Sequence, residues 1–149
     1  MALERDFQLK TLAEMTGYYE HRLRLDPNDA RAYCRLGFVK SSLGRPQEAI
    51  GCFRRAIELD PRDDEAHLHL GIVSLNQERY QAAQTEFETA LRLNPANYLA
   101  HGHLGLLHMN QGHLEAAEIH LRDALRLNPN DSTAQENLRR VLEAKARIP

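Results

Sequence analysis

Four prolines set the frame. Pro27, Pro61, Pro95 and Pro129 stand 34 residues apart, and each closes a variant of one phrase: LRLDP, IELDP, LRLNP and LRLNP. A fixed period constrains this chain more than its composition does, because each copy must form one supersecondary unit and bury its apolar faces against the next. Superposing the three full copies brings Leu36 onto Leu70 and Leu104, Gly37 onto Gly71 and Gly105, and Ala49 onto Ala83 and Ala117. Phe53, Phe87 and Leu121 share a further column, as do Ala56, Ala90 and Ala124.

Each column has a physical reason. Small residues on the first helix of a pair (Gly37, Gly71, Gly105) and on the second (Ala49, Ala83, Ala117) predict a close contact seam, with the larger Leu and Phe columns filling the space beside it. Asp29, Asp63, Asn97 and Asp131 stand two residues after each proline, where a side-chain oxygen accepts backbone N–H groups of the next helix. Gly44 and Gly112 fall where the first helix must stop in a left-handed residue, and Pro46 suits the start of the second. The middle copy places Glu78 in that glycine column, which predicts the most strained of the three turns.

The period and the order Leu-Gly, Ala, Phe, Ala, Pro resemble the tetratricopeptide repeat (TPR) family. The resemblance covers residues 28–131 and reaches into both ends. It implies an all-α fold, a right-handed alpha-solenoid of three helix hairpins with an N-terminal half-repeat helix and a C-terminal capping helix. The expected division is 1–27 for the half-repeat, 28–61, 62–95 and 96–129 for the repeats, and 130–149 for the cap, all in one domain. At the N-terminus Thr11-x-x-Glu14 resembles a capping box that would start a second helix lacking a full partner. Residues 1–10 are then left to form an extra turn, fold back, or pair with a second molecule. In the last helix Arg139 stands in the glycine column, so no further helix can dock and a solvating cap is expected.

Charge narrows the partners. Nineteen Lys plus Arg against 21 Asp plus Glu leave a formal net charge of -2, which offers no field to attract nucleic acid or an anionic membrane. No apolar run approaches the length of a membrane span, and the opening MALERDFQLK lacks a secretory pattern, so a cytoplasmic protein is expected. Cys34 and Cys52 fall at different phases of the repeat and are not expected to pair.

Catalytic strings are absent: there is no GxSxG, HExxH, P-loop, GxGxxG or CxxC. The eight histidines include His67-x-His69 and His101-x-His103, but residues two apart on a helix diverge and cannot chelate one ion. His67 and His101 share the column of Tyr33, where packing is expected, while His69 and His103 are expected to point toward the inner surface, in position to meet across adjacent helices. No enzyme activity, metal or cofactor is expected.

The resemblance implies a concave groove lined by the first helix of each pair. Its expected lining is Phe38, Leu68, His69, Ile72, Leu75, Asn76, Leu99, His103, Leu106, Met109 and Asn110. This surface is apolar in its middle and suits an amphipathic helix or apolar peptide. The clamp with which some TPR domains grip acidic chaperone tails would fall on Cys34, Phe38, His69, Leu99 and His103, and none of these is the required residue. An asparagine ladder would fall on Arg35, His69, His103 and Asn137, of which only Asn137 conforms. The expected function is a scaffold or adaptor that binds a protein or peptide. The alternatives are a targeting domain of a larger enzyme, such as a glycosyltransferase, or a module that self-assembles as a homodimer through its N-terminal helix.

Overall fold

The computed structural model describes residues 2–147, with side chains from Lys10 onward. Among these residues are eight helices and no strand: α1 (Ala2–Leu25), α2 (Ala30–Ser42), α3 (Pro46–Leu59), α4 (Asp64–Asn76), α5 (Tyr80–Leu93), α6 (Tyr98–Asn110), α7 (Leu114–Leu127) and α8 (Ser132–Ala146). Two compact units divide within α4, the first ending at Val73 and the second beginning at Ser74. The described residues are all-α, and their helices follow one another in the order that the 34-residue period predicts.

Every proline-bearing turn is built from two capping residues. Asp29, Asp63, Asn97 and Asp131 accept the N–H of Ala32, Ala66, Ala100 and Ala134 at 2.9, 3.1, 3.0 and 3.0 Å. A second layer was not anticipated from the sequence. Asp26, Asp60, Asn94 and Asn128, directly before the prolines, accept the N–H two residues on, at 3.0, 3.0, 3.1 and 3.3 Å. These are Asx turns, which leave the proline free to set its own φ. Each N-cap contributes about 1 kcal/mol, so the four together help hold helices too short to persist alone.

The turns inside the hairpins are equally regular. Arg45 N–H donates to Lys40 O, Arg79 N–H to Ser74 O and His113 N–H to His108 O, each at 2.9 Å. The residue just before each donor is left-handed: Gly44 at φ 71°, Glu78 at φ 59° and Gly112 at φ 77°. The strain expected at Glu78 is therefore present. Glu78→Gly is expected to stabilise the chain by a net of about 0.5–1 kcal/mol, because relief of the left-handed penalty outweighs the added entropy of the unfolded chain. Urea denaturation reads this as a raised midpoint; an unchanged midpoint would show that the turn carries no strain.

In the first unit, α2 packs on both α1 and α3. Its core gathers Cys34, Ala49, Ile50, Phe53, Ala56, Ala66, Leu70 and Val73. The glycine seam is close, with the large column packed into it: a Cβ on Gly37 would lie 2.7 Å from the Phe53 ring, so the glycine makes room for the side chain opposite. Lys40 is buried yet charged, with Nζ 3.1 Å from Glu20 and 3.0 Å from Glu48, tying α2 to α1 and α3. The bond to Glu48 is the main influence holding its ammonium above the usual range, against the effect of burial.

The N-terminal expectation needs correction. Helix α1 runs unbroken from Ala2 through Thr11 and Glu14 to Leu25, so Thr11 caps nothing and residues 2–10 extend the helix without folding back. No proline or glycine interrupts the stretch before Gly17, and adding a residue to an existing helix costs far less than starting one. Met1 lies outside the described residues.

In the second unit, α6 packs against α5, α7 and α8. The core around Ala117, Leu121, Ala124, Ala134 and Val141 is flanked by Met109, Leu114, Leu125 and Leu138. Gly105 repeats the role of Gly37: a Cβ there would sit 2.5 Å from Leu121 Cγ. Helix α8 presents Ala134 and Val141 to this core and is pinned by Lys145, 2.7 Å from Glu118 of α7. Arg139, in the glycine column, is exposed and paired with Glu136 and Glu143 on its own helix.

Candidate interaction surface

The exposed face of the first unit is polar at one end and aromatic at the other. Toward the start of α2, Arg31, Cys34 and Arg35 line a polar cleft of about 380 Å³ with Asp60, Asp63, Asp64 and Glu65, and Arg35 lies 3.4 Å from Glu65. Burial, with Asp63 and Glu65 nearby, pushes the Cys34 thiol up to about 12, so it stays protonated and unreactive at neutral pH. Cys34 and Cys52 are both free thiols.

Further along α2, Phe38 is 45% exposed and its ring tilts against His69 at 5.3 Å. His69 in turn stacks on Phe53 at 5.6 Å, nearly parallel at 18°. Burial lowers the His69 imidazole below its ordinary value; Arg35 acts in the same sense, while Glu65 and Asp63 oppose it. A neutral ring stacked on a phenyl is a hydrophobic plug with one polar edge. Ile72 is half-buried. Leu68 is 2% exposed and cannot line an open surface, because its side chain is taken up by packing.

In the second unit the same pattern returns one repeat later. His103 stacks on Phe87 at 5.4 Å and 10°. Thus His69 and His103, expected to point inward, each lie on the phenylalanine of the preceding second helix. Leu99 is 40% exposed, and Leu106 is half-buried beside His103. These three, with Gly102, Asp131, Thr133, Ala134 and Asn137, line a mainly apolar cleft of about 160 Å³ along α6 and α8. Asn137, the one residue that fits the asparagine ladder, is 6% exposed at its wall. Leu75 is half-buried, Asn76 and Asn110 are exposed, and Met109 packs against the α7–α8 core.

The first unit exposes an apolar patch centred on Phe38, and the second exposes one at Leu99 and Leu106. Sequence reasoning missed a histidine cluster on α6 and α7. His101 and His108 are seven residues apart, as are His113 and His120, so each pair recurs after about two helical turns. That spacing was the available signal. Among the described residues, no group of three or more His, Cys, Asp or Glu could hold a metal ion, and no helix is long and apolar enough to cross a membrane.

Solved structures share this fold. The chain is similar to MamA, at 24% identity and TM-score 0.80 over 93% of this chain and 83% of that one. It is similar to the first TPR of Spaghetti (RPAP3), solved bound to the HSP90 peptide SRMEEVD, at 23% identity and TM-score 0.76 over 78% and 95% of the two chains. The Arabidopsis OM64 TPR domain resembles it at 18% identity and TM-score 0.74 over 77% and 95%. Identities this low carry the fold alone. No curated protein sequence matches the chain. One family profile, that of the cilia and flagella-associated protein 70 middle TPR-like domain, matches residues 6–138, and the chain belongs to that family.

Proposed function

We propose that this domain is a non-catalytic interaction module that takes an apolar or amphipathic segment of a partner protein on its first-helix face. The observation that carries the reading is the cleft beside Leu99 and Leu106, where an exposed leucine stands at the rim of a mainly apolar hollow walled by α6 and α8. Such a hollow accepts one or two apolar side chains, while Thr133, Asn137 and His103 supply polar edges that orient the segment. Phe38 and Ile72 offer an apolar contact of the same kind in the first unit.

Charge separates this reading from acidic-tail recognition. The RPAP3 TPR is bound to the HSP90 peptide SRMEEVD, which ends in acidic residues. At the positions where a clamp for such a tail would fall, this chain carries Cys34, Phe38, His69, Leu99 and His103, and no lysine or arginine. Burying carboxylates there without a cationic partner is costly.

The test uses the full chain as bait in affinity capture, with the captured segment then synthesised as a peptide. Leu99→Asp combined with Leu106→Glu is expected to weaken peptide binding by about 100-fold, the loss typical when central apolar anchors are removed, with circular dichroism unchanged. Equal binding by wild type and double variant would remove this surface from consideration. Measurable binding of SRMEEVD would contradict the charge reasoning.

A further inference from the structure

Four histidines gather where α6 meets α7, and neither the fold nor the proposed surface uses them. His101 Nδ1 lies 3.2 Å from His120 Nδ1, and His101 Nε2 lies 3.3 Å from the carbonyl oxygen of Pro95. His108 stacks on His120 at 5.6 Å with the rings 11° from parallel, and His113 lies 5.9 Å from His108. His108 Nδ1 is buried with no hydrogen-bond partner among the described residues.

These contacts determine where protons can sit. A carbonyl only accepts, so His101 Nε2 carries a hydrogen, and neutral His101 then has a bare Nδ1. The 3.2 Å contact is satisfied when His120 Nδ1–H donates to it. A first added proton from solvent goes to His120 Nε2 and leaves that bond intact. A second has only His101 Nδ1 left, which would set two N–H groups head to head and place two cations in contact.

We propose that the α6–α7 hairpin is a proton-sensitive joint: its His101–His120 pair holds one added proton and is forced apart by a second, so mild acidification loosens this hairpin. The groups around the cluster come from each packed element. Glu88 on α5 favours protonation of His108 and His120, and Asp123 on α7 favours that of His120; His113 opposes it at His108, and His101 and His108 oppose it at His120. On α8, Lys145 is engaged with Glu118 and Glu115 of α7. Burial first, then the neighbouring histidines, lowers His108 and His120 below the ordinary imidazole value despite those carboxylates.

The sign follows. A histidine held below its unfolded value of about 6.5 contributes stability that is complete above that pH and is lost as pH falls toward the folded-state value. The unfolding equilibrium shifts by up to about tenfold per pH unit for each such group. Because α6 also carries Leu99 and Leu106, acid would disturb that face as well, but the joint is tested without reference to any partner.

Two measurements on the full chain test the proposal. Long-range nitrogen NMR is expected to show His101 as the Nε2–H tautomer and His120 as the Nδ1–H tautomer at pH 7.5, with His120 taking up its proton below the ordinary imidazole value. His101 found as the Nδ1–H tautomer, or His120 titrating at or above the ordinary value, would overturn it. Hydrogen exchange, corrected for intrinsic rates, is expected to show α6–α7 protection falling at least about tenfold from pH 7.5 to 5.5 in the wild type and less than about threefold in His120→Gln. Equal losses would overturn the proposal, and if the variant does not fold, the wild-type titration decides. Amides of α2 and α3, near the separately buried His69, report pH effects that do not arise from the cluster.

Discussion

Phe87→Ala is expected to destabilise the domain by about 3–5 kcal/mol, the range for removing a buried phenyl ring when the site cannot collapse. Phe87 is fully buried, and it is also the platform on which His103 stacks at 5.4 Å. Truncation would leave a cavity and at the same time remove support from a ring that borders the α6–α8 cleft. Urea denaturation followed by circular dichroism measures the loss, with Ile119→Ala as reference. Ile119 is 62% exposed on α7, and its truncation is expected to cost less than about 0.5 kcal/mol. A repeat domain can unfold in parts, so the α5–α6 amides should also lose protection ahead of α2–α3. A loss near 1 kcal/mol or less for Phe87→Ala would mean that the phenylalanine column does not anchor the hairpins.

The second large effect is expected from the opposite change, adding atoms. Gly37→Val places a Cβ where it would meet Phe53 Cε1, Cδ1 and Cζ at 2.7, 2.8 and 3.0 Å. Phe53 is fully buried, so the ring or the helices must shift to admit the added atoms. A loss of about 2–3 kcal/mol is expected, more than the small gain in helix propensity over glycine. Gly51→Ala is the control, since nothing lies within 4 Å of a Cβ there, and it is expected to stabilise by about 0.5–1 kcal/mol. Combining Gly37→Val with Phe53→Ala is expected to cost less than the sum of the single changes, because the valine fills part of the space the ring vacates. Additive losses would show that the glycine is not there for the ring.

The two experiments address one packing rule from both sides. A large side chain on the second helix lies over a glycine on the first, seen as Phe53 over Gly37 and again as Leu121 over Gly105. The small-residue column and the large columns beside it were legible from the period. Only coordinates show that the large side chain of the second helix lies directly over the glycine.

The candidate surface shows the same division. Leu99 and Phe38 are exposed, whereas Leu68, about 40–60° around the helix from their columns, is buried. Neighbouring helices decide which of these phases is covered. His69 and His103 were placed correctly on first helices, but their stacking on Phe53 and Phe87 depends on a neighbour 16 residues earlier in the chain. The His101–His120 contact likewise joins residues 19 apart that no local pattern links.

By itself, the sequence determined the helix pairs, their caps, the left-handed turn residues at positions 44, 78 and 112, and membership in a 34-residue repeat architecture. These are local matters, decided by backbone hydrogen bonds and steric limits within a few residues, and repetition made each of them readable several times over. Tertiary structure alone decided which leucines remain at the surface and which rings stack. Those outcomes depend on contacts between helices distant in sequence, where small rotations and shifts move a side chain between core and surface while leaving the periodic pattern unchanged.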